Sequence, residues 1–272
     1  MRRFALIGAN VLFAVLPLAA ASLHAQSFSI HSCPNGDGGG NDGFLSHWFG
    51  GSEQVCETRT IAFPLVNGQL HVNGMNGGIE VVGEDRRDVY LEARVIAHAG
   101  SKTAAEALLH EISIQTGETV QANGPKAALT RGWSVSFKLH VPHDLTGEFH
   151  TMNGGISLVA IAGDIDGETT NGGIEFKDLG GNVRLTTTNG GIHATLAGKT
   201  WQGAGLTAKT TNGGISVDAA PGYSAHVVAS TVNGGIEVPG QTGSRRHSVD
   251  RNIGSGGPTL DLETVNGGIS IR

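Results

Sequence analysis

The 272-residue sequence is poor in residue types and motifs on which many activities depend. Aromatic residues make up only 5% of it, charged residues 15%, and there are two cysteines. It contains no Gly-x-Ser-x-Gly, no complete Gly-x-x-x-x-Gly-Lys-Ser/Thr phosphate loop and no Cys-x-x-Cys. After the N-terminus, no apolar run is long enough to span a bilayer. These absences favour a binding or structural protein over an enzyme, and we predict no cofactor and no metal site.

Glycine, in contrast, is abundant, with 43 copies, far above its usual share of about 7%. No Gly-X-Y period is present, which excludes a collagen-like chain. Hydrophobic residues make up 39% and are regularly placed, so the chain is predicted to fold. Many tight turns explain the glycine content, because glycine has the widest conformational freedom.

The first 25 residues have the pattern of a signal peptide. Arg2 and Arg3 precede an apolar run over 4–21, and small residues follow, with cleavage expected after Ala21 or Ala25. The mature protein is then exported to the periplasm, the cell surface or the medium. Loss of the two arginines takes Lys+Arg from 18 to 16 against 24 acids, a net charge of about −8. An acidic surface argues against nucleic acid as a partner.

A Gly-rich segment, residues 26–57, contains both cysteines, Cys33 and Cys56. In an exported protein these are expected to form a disulfide. The bond would close a loop of roughly two dozen residues and contribute about 3 kcal/mol in the chain-entropy model. Between the cysteines, the glycines and aspartates of 36–43 are interpreted as a loop rather than a calcium site.

One tetrapeptide, Asn-Gly-Gly-Ile, recurs along the chain and indicates a solenoid. Nine residues before the motif Ile stands another apolar residue in every copy except that of Asn153, where Gly147 takes its place. The segment that returns from one copy to the next varies in length. One corner is therefore constant, and insertions collect at the opposite edge. The seven copies begin at Asn76, Asn153, Asn171, Asn189, Asn212, Asn233 and Asn266.

Around each motif the hydrophobic pattern has a period of two, which is typical of strands. We predict an all-β protein: a single-stranded parallel β-helix or solenoid with Asn-Gly-Gly-Ile turns, wound right-handed by default. Gly-Gly would take positive φ, and stacked Asn side chains would bond one another. A β-hairpin at each Asn-Gly is the alternative, but the equal spacing along one corner favours the solenoid.

The predicted domains are a β-rich region over 58–145 and the solenoid coils over 146–272, together one domain. The first contains one short helix over 102–111, which Ser101 would cap. Because the last strand ends at Arg272, the C-terminal coil is expected to be uncovered, and self-association through it becomes an option.

The strand ending in Val141-Pro142, followed by the glycine-rich coils, resembles the bacterial "putative adhesin" family, a domain of unknown function. The first copy, from Leu70-His71-Val72 to Ile79-Glu80-Val81, fits its opening, and the resemblance covers 58–272. It implies an exported β-helical protein. The family brings no catalytic residues, so none are transferred to this chain.

Two surfaces are candidates for function. Aromatic and basic residues on the insertion edge suggest binding of a glycan or an envelope protein. On the opposite side, the polar residues after each motif Ile form an outward column, which we expect to lie on a convex face without a pocket. The edge candidates are Trp201, Tyr223, Arg245, Arg246 and Arg251, and the column includes Ser157, Glu175, His193, Ser216 and Glu237.

Three functional hypotheses follow. The first is a non-catalytic exported solenoid that binds a surface, a glycan or an envelope protein. The second is a polysaccharide-active enzyme on the same scaffold, which a groove with clustered acids and arginines would favour. The third is an envelope-stress or assembly component that pairs with another chain.

Overall fold

The computed structural model describes residues 28–33, 53–240 and 247–272. The predicted signal peptide, the 36–43 loop, Arg245 and Arg246 lie outside this part. The described chain is almost entirely β, with parallel sheets and one helix, as predicted. It forms two sheets with a hydrophobic core between them.

The larger sheet has eleven strands within the described residues. Seven of these begin at a motif Ile, and the other four lie in the N-terminal region that extends the sheet. They are β1 (Phe28–Ser32), β2 (Glu53–Pro64), β4 (Ile79–Glu84), β5 (Asp88–Ala99), β8 (Gly132–Pro142), β10 (Ile156–Val159), β12 (Ile174–Lys177), β14 (Ile192–Leu196), β16 (Ile215–Ala219), β18 (Ile236–Glu237) and β21 (Ile269–Ile271).

The smaller sheet has ten described strands, and seven of them end at a motif Asn. They are β3 (Gln69–Asn76), β6 (Ser113–Gln115), β7 (Thr119–Asn123), β9 (Thr146–Asn153), β11 (Ala162–Asn171), β13 (Gly180–Asn189), β15 (Gly205–Asn212), β17 (Ala225–Asn233), β19 (Ser248–Ile253) and β20 (Thr259–Asn266).

Each coil consists of the strand that ends at a motif Asn and the strand that begins at the following Ile. The two strands of one coil belong to different sheets, and each pairs in parallel with its equivalent in the next coil: β9 pairs with β11, and β10 with β12. This excludes the hairpin alternative, in which the two strands around a motif would pair with each other.

The register repeats from coil to coil. Ile156 lies opposite Ile174, and Ile165 lies opposite Val183. These side chains are at most 2% exposed, so the apolar residue at the motif and the one nine residues earlier form two stacked columns in the core. Opposite Ile165, Gly147 leaves room that the ring of Phe149 fills.

The coils do not stack in chain order at the C-terminal end. Strand β20 lies between β15 and β17, and β21 lies between β16 and β18. The expectation of an uncovered C-terminal coil is therefore wrong, because that coil is inserted between two others. The coil of Asn233 is the last of the stack, and β19 pairs antiparallel with its strand β17.

The region before residue 146 extends both sheets. Strand β8 pairs with β4, and β5, β2 and β1 continue the larger sheet antiparallel. The helix α1 (Lys102–Glu111) packs on β5 and β2, with the predicted cap: Ala104 N–H donates to Ser101 Oγ at 3.3 Å. Buried Arg59 donates to the carbonyl oxygens of Leu109 and Ile112 at the helix end.

Cys33 and Cys56 form a disulfide, with their Cα atoms 5.6 Å apart. The bond ties the segment around β1 to β2, whose strands already pair antiparallel. Among the described helices, none is long and apolar enough to cross a membrane.

Candidate binding groove

The first glycine of each motif is required by the close approach of neighbouring coils. A Cβ on Gly172 would stand 2.1 Å from the carbonyl oxygen of Gly154, and one on Gly190 would stand 2.1 Å from that of Gly172. The predicted reason, positive φ, is wrong for most copies: among the motif glycines, only Gly77 lies in that region, at 141°. Steric exclusion by the next coil explains the glycine instead.

A buried threonine two residues before the motif Asn holds the same corner in six of the seven copies; before Asn76 the position is Gly74. The Thr169 hydroxyl donates to the carbonyl oxygen of Gly154 at 2.8 Å, and the Thr187 hydroxyl donates to that of Gly172 at 2.7 Å. The carbonyl of the first glycine therefore has a partner although it is crowded. The same bond is made by Thr151, Thr210, Thr231 and Thr264.

The motif asparagines form one continuous ladder along the corner. The side-chain amide of Asn171 donates to the side-chain oxygen of Asn153 at 2.9 Å, and Asn189 donates to Asn171 at the same distance. Each inner member thus donates one bond and accepts one. The ladder runs in the order Asn76, Asn153, Asn171, Asn189, Asn212, Asn266 and Asn233.

The second glycine has a different environment. A Cβ on Gly173 would meet nothing closer than the Gly191 carbonyl oxygen at 3.2 Å, and its φ is outside the left-handed region. Its carbonyl oxygen accepts from Ile156 N–H at 3.0 Å, but within the described residues its own N–H donates to no protein acceptor. The same holds for the second glycine of the other six motifs. These seven glycines are Gly78, Gly155, Gly173, Gly191, Gly214, Gly235 and Gly268.

All seven second glycines line one groove across the larger sheet, with a volume of about 1370 Å³. The groove crosses ten strands, from β2 to β18, which corresponds to about 43 Å at ~4.8 Å per strand. The outward column lies in it: Ser157, Glu175, His193, Ser216 and Glu237. The expectation of a convex face without a pocket is therefore wrong. Strands β2, β5 and β8, which carry no Asn-Gly-Gly-Ile motif, lengthen the same face.

Charge is unevenly distributed along the groove. At the N-terminal end, Lys138 lies between Glu80 and Glu92 in the strand register, and its ammonium is 2.9 Å from Glu80. The hydrogen bond to Glu80 raises the pKa of Lys138 above its usual value. Along the coils themselves, the described lining side chains include three carboxylates, Glu80, Glu175 and Glu237, and one arginine, Arg272.

His193 occupies the middle of the groove. Its Nε2 is 3.6 Å from the carboxylate of Asp218, and its register neighbours are Glu175 on one side and Ser216 on the other. The His193 and Asp218 side chains are both close to half exposed. Among the described residues, no group of three or more His, Cys, Asp or Glu side chains is placed to hold a metal ion.

The aromatic residues of the insertion edge are buried, so their expected role as an exposed binding surface is wrong. Trp201 is 3% and Tyr223 is 5% exposed. The Trp201 indole N–H donates to the carbonyl oxygen of Gly181 at 3.0 Å, and burial raises the pKa of Tyr223 to about 12. Both side chains pack against the hydrophobic core at the insertion edge. Arg251 is exposed but lies on β19, in register with Val227.

The fold is a two-sheet solenoid of stacked coils with a groove along one face. The Toastrack DUF4097 family model matches residues 146–272. This part of the chain is therefore similar to the Toastrack DUF4097 family, and the resemblance to the "putative adhesin" family of unknown function is confirmed. No curated protein matches the chain.

The similar solved structures match most of the length of this chain but have low sequence identity to it. A putative cell adhesion protein from Clostridium sporogenes is 11% identical, with a TM-score of 0.40, over 81% of this chain and 98% of that one. A putative adhesin from Bacteroides fragilis is 13% identical, with a TM-score of 0.37, over 79% and 97%. A putative lipid binding protein from Parabacteroides distasonis is 11% identical, with a TM-score of 0.29, over 79% and 96%.

Proposed function

We propose that this protein is an exported, adhesin-like binding protein without catalytic activity, and that its ligand lies along the groove of the larger sheet. The observation that supports this most directly is the continuity of the groove across ten strands. An extended ligand would contact every coil in the same way, because the coils are in register.

The order of side chains in the groove supports binding rather than catalysis. Polar residues follow one another singly, one strand apart: Ser157, Glu175 and His193 are register neighbours. A catalytic site instead concentrates an acid, a base and a stabilising group around one reacting atom. Contacts spread evenly over a long surface suit affinity for a long ligand.

Export is supported by the signal-like N-terminus and by the disulfide between Cys33 and Cys56, a bond that is typical of oxidising compartments. We also propose that residues 58–272 form one folded unit, since both sheets continue across residue 146, and that the coils wind right-handed. Limited proteolysis of the secreted protein would test whether residues 58–272 form one folded unit. A crystal structure would test the handedness of the coils.

Blocking the groove tests the binding proposal. Glu175→Trp and Ser216→Trp place an indole in the groove at positions that point away from the core. We expect labelled protein carrying either change to bind bacterial cells and isolated envelopes at least about tenfold more weakly. The matched control is Thr207→Trp on β15 of the smaller sheet, which should bind as the unchanged protein does. Equal binding by all variants would reject the groove as the binding surface.

A polysaccharide-active enzyme is the second candidate, and one observation favours it. Glu80 and Glu175 lie on strands two apart in the groove, about 9.6 Å at ~4.8 Å per strand. That is close to the separation of the paired carboxylates in inverting glycosidases, about 6.5–9.5 Å. Release of reducing ends from polysaccharides by the protein, abolished in Glu175→Gln, would establish this candidate and reject the non-catalytic one.

A further inference from the structure

We infer that the groove takes a linear, uncharged polysaccharide with one sugar ring opposite each strand, recognised by the backbone N–H groups of the second glycines. The inference rests on the proposed binding function of the groove. It adds the chemical class of the ligand and assigns a role to residues that the stability of the corner does not explain.

The groove is periodic. Each coil places in its lining one second glycine, whose N–H has no protein acceptor among the described residues, and one outward side chain. Equivalent groups lie one strand spacing apart, about 4.8 Å. A ring of an extended β-1,4-linked polysaccharide advances the chain by a length close to this spacing. A polypeptide repeats every two residues, at about 6.6–6.8 Å, so its equivalent groups would fall out of step with the coils within a few strands.

The hydrogen-bonding groups of the groove match those of sugars. The groove combines donors, the glycine N–H groups, with carboxylate acceptors at Glu175 and Glu237 and with serine hydroxyls that do both. Sugar hydroxyls also donate and accept hydrogen bonds, so each ring can bond with the polar groups of the strand that lies opposite it. An acyl chain would leave these groups without partners, which costs about 1–3 kcal/mol for each buried group. A polyanion would meet Glu175 and Glu237, against which the described lining of these coils offers one cation, Arg272.

The second glycine carries no side chain, although the corner leaves more room there than at the first glycine. The first glycine cannot carry a Cβ, whereas in six of the seven motifs a Cβ on the second would have a carbonyl oxygen at 3.1–3.2 Å as its nearest contact. Packing at the corner therefore requires glycine much less strictly at the second position than at the first. Close contact between a ligand and the backbone N–H would require glycine there, since a methyl group in each coil would make the groove shallower.

Among the described residues that line the groove, no Phe, Tyr or Trp ring is exposed. Phe137, the aromatic residue in its lining, is 2% exposed. Recognition would therefore use the hydroxyl edges of the sugars and not stacking on their faces. This replaces the aromatic glycan site expected at Trp201 and Tyr223.

The test is calorimetric titration of the purified protein with linear neutral oligosaccharides of two to ten rings, in β-1,4-linked glucose and β-1,4-linked N-acetylglucosamine series. Affinity is expected to rise with each added ring until the groove is filled. Gly173→Ala should weaken binding of the longest oligosaccharide at least about tenfold. The matched control, Gly100→Ala, adds a methyl outside the groove with no atom within 4 Å and should change nothing.

The possible outcomes separate this inference from the proposed function. If both series fail to bind while Glu175→Trp still abolishes envelope binding, the groove is the binding surface but the ligand class is wrong. A protease-sensitive ligand, or tighter binding of polygalacturonate than of neutral chains, leads to the same conclusion. An affinity that does not change with oligosaccharide length would contradict the claim that each coil contacts one sugar ring. If Gly173→Ala lowers thermal stability, Glu175→Gln tests the same recognition without altering the backbone.

Discussion

The hydroxyl of Thr187 donates a hydrogen bond of 2.7 Å to the carbonyl oxygen of Gly172, one coil away, and Thr187 is 1% exposed. Thr187→Val keeps the shape and removes the donor. We expect it to destabilise the protein by about 1–3 kcal/mol, because it leaves a crowded carbonyl without this partner. Urea unfolding followed by circular dichroism measures the loss. Thr188→Val, at the exposed neighbouring position, should be almost neutral, and equal losses in both variants would contradict this role.

The two glycines of one motif should respond differently to the same change. Gly172→Ala places a methyl 2.1 Å from the Gly154 carbonyl oxygen, whereas Gly173→Ala has its nearest contact at 3.2 Å. The first change should cost about 3 kcal/mol or more, since neighbouring coils must separate. The second should cost less than about 1 kcal/mol. Thermal unfolding of both variants makes the comparison, and a similar loss in both would disprove the steric distinction.

Engineered disulfides test the position of the C-terminal coil. Thr207 and Asp261 are register neighbours on β15 and β20, and Asp261 and Val228 are neighbours on β20 and β17. Cysteine pairs at either combination lie within reach of a disulfide and should cross-link on oxidation. The pair Thr207→Cys with Val228→Cys should not, because β20 separates the two strands. Cross-linking of that last pair, detected by mass spectrometry of peptides, would show that the coils stack in chain order.

Tyr223 makes the protein sensitive to alkali. Burial raises its pKa from 10.0 to about 12, so the folded state retains the phenol proton at a pH where the unfolded state loses it. Its contribution to stability is complete below about pH 10 and falls as pH rises toward 12, by on the order of 2 kcal/mol. Tyr223→Phe should remove this part of the pH dependence. Unfolding free energies at pH 8, 10 and 11 would show it, and parallel profiles for both proteins would refute it.

The local geometry of a coil could be predicted from the sequence. The apolar residue nine positions before the motif Ile in six of the seven copies, the alternation after it and the helix that starts after Ser101 all depend on neighbours close in the chain. The structure has these features where the pattern indicated, with Ile165 over Val183 and the helix at Lys102–Glu111. The resemblance to the "putative adhesin" family was carried by the same residues.

The candidate site could be predicted only in part. Ser157, Glu175 and His193 were correctly placed in one outward column, because alternation determines which side chains leave the core. The groove was missed, since its continuation depends on β5 and β8, which bring Glu92 and Lys138 beside the coils from elsewhere in the chain. Trp201 and Tyr223 were misplaced because the length of an insertion does not tell whether an aromatic residue turns toward the core.

By itself, the sequence determined the repeating coil, its two apolar columns and the constant corner, since each of these rests on spacings of fewer than ten residues. Only the tertiary structure decided the order in which the coils stack. The coils of Asn212, Asn233 and Asn266 have the same motif and the same register, so each can pair with either of the others. Insertion of Leu260 between Leu206 and Val227 is a choice among equivalent pairings, and no local pattern records it.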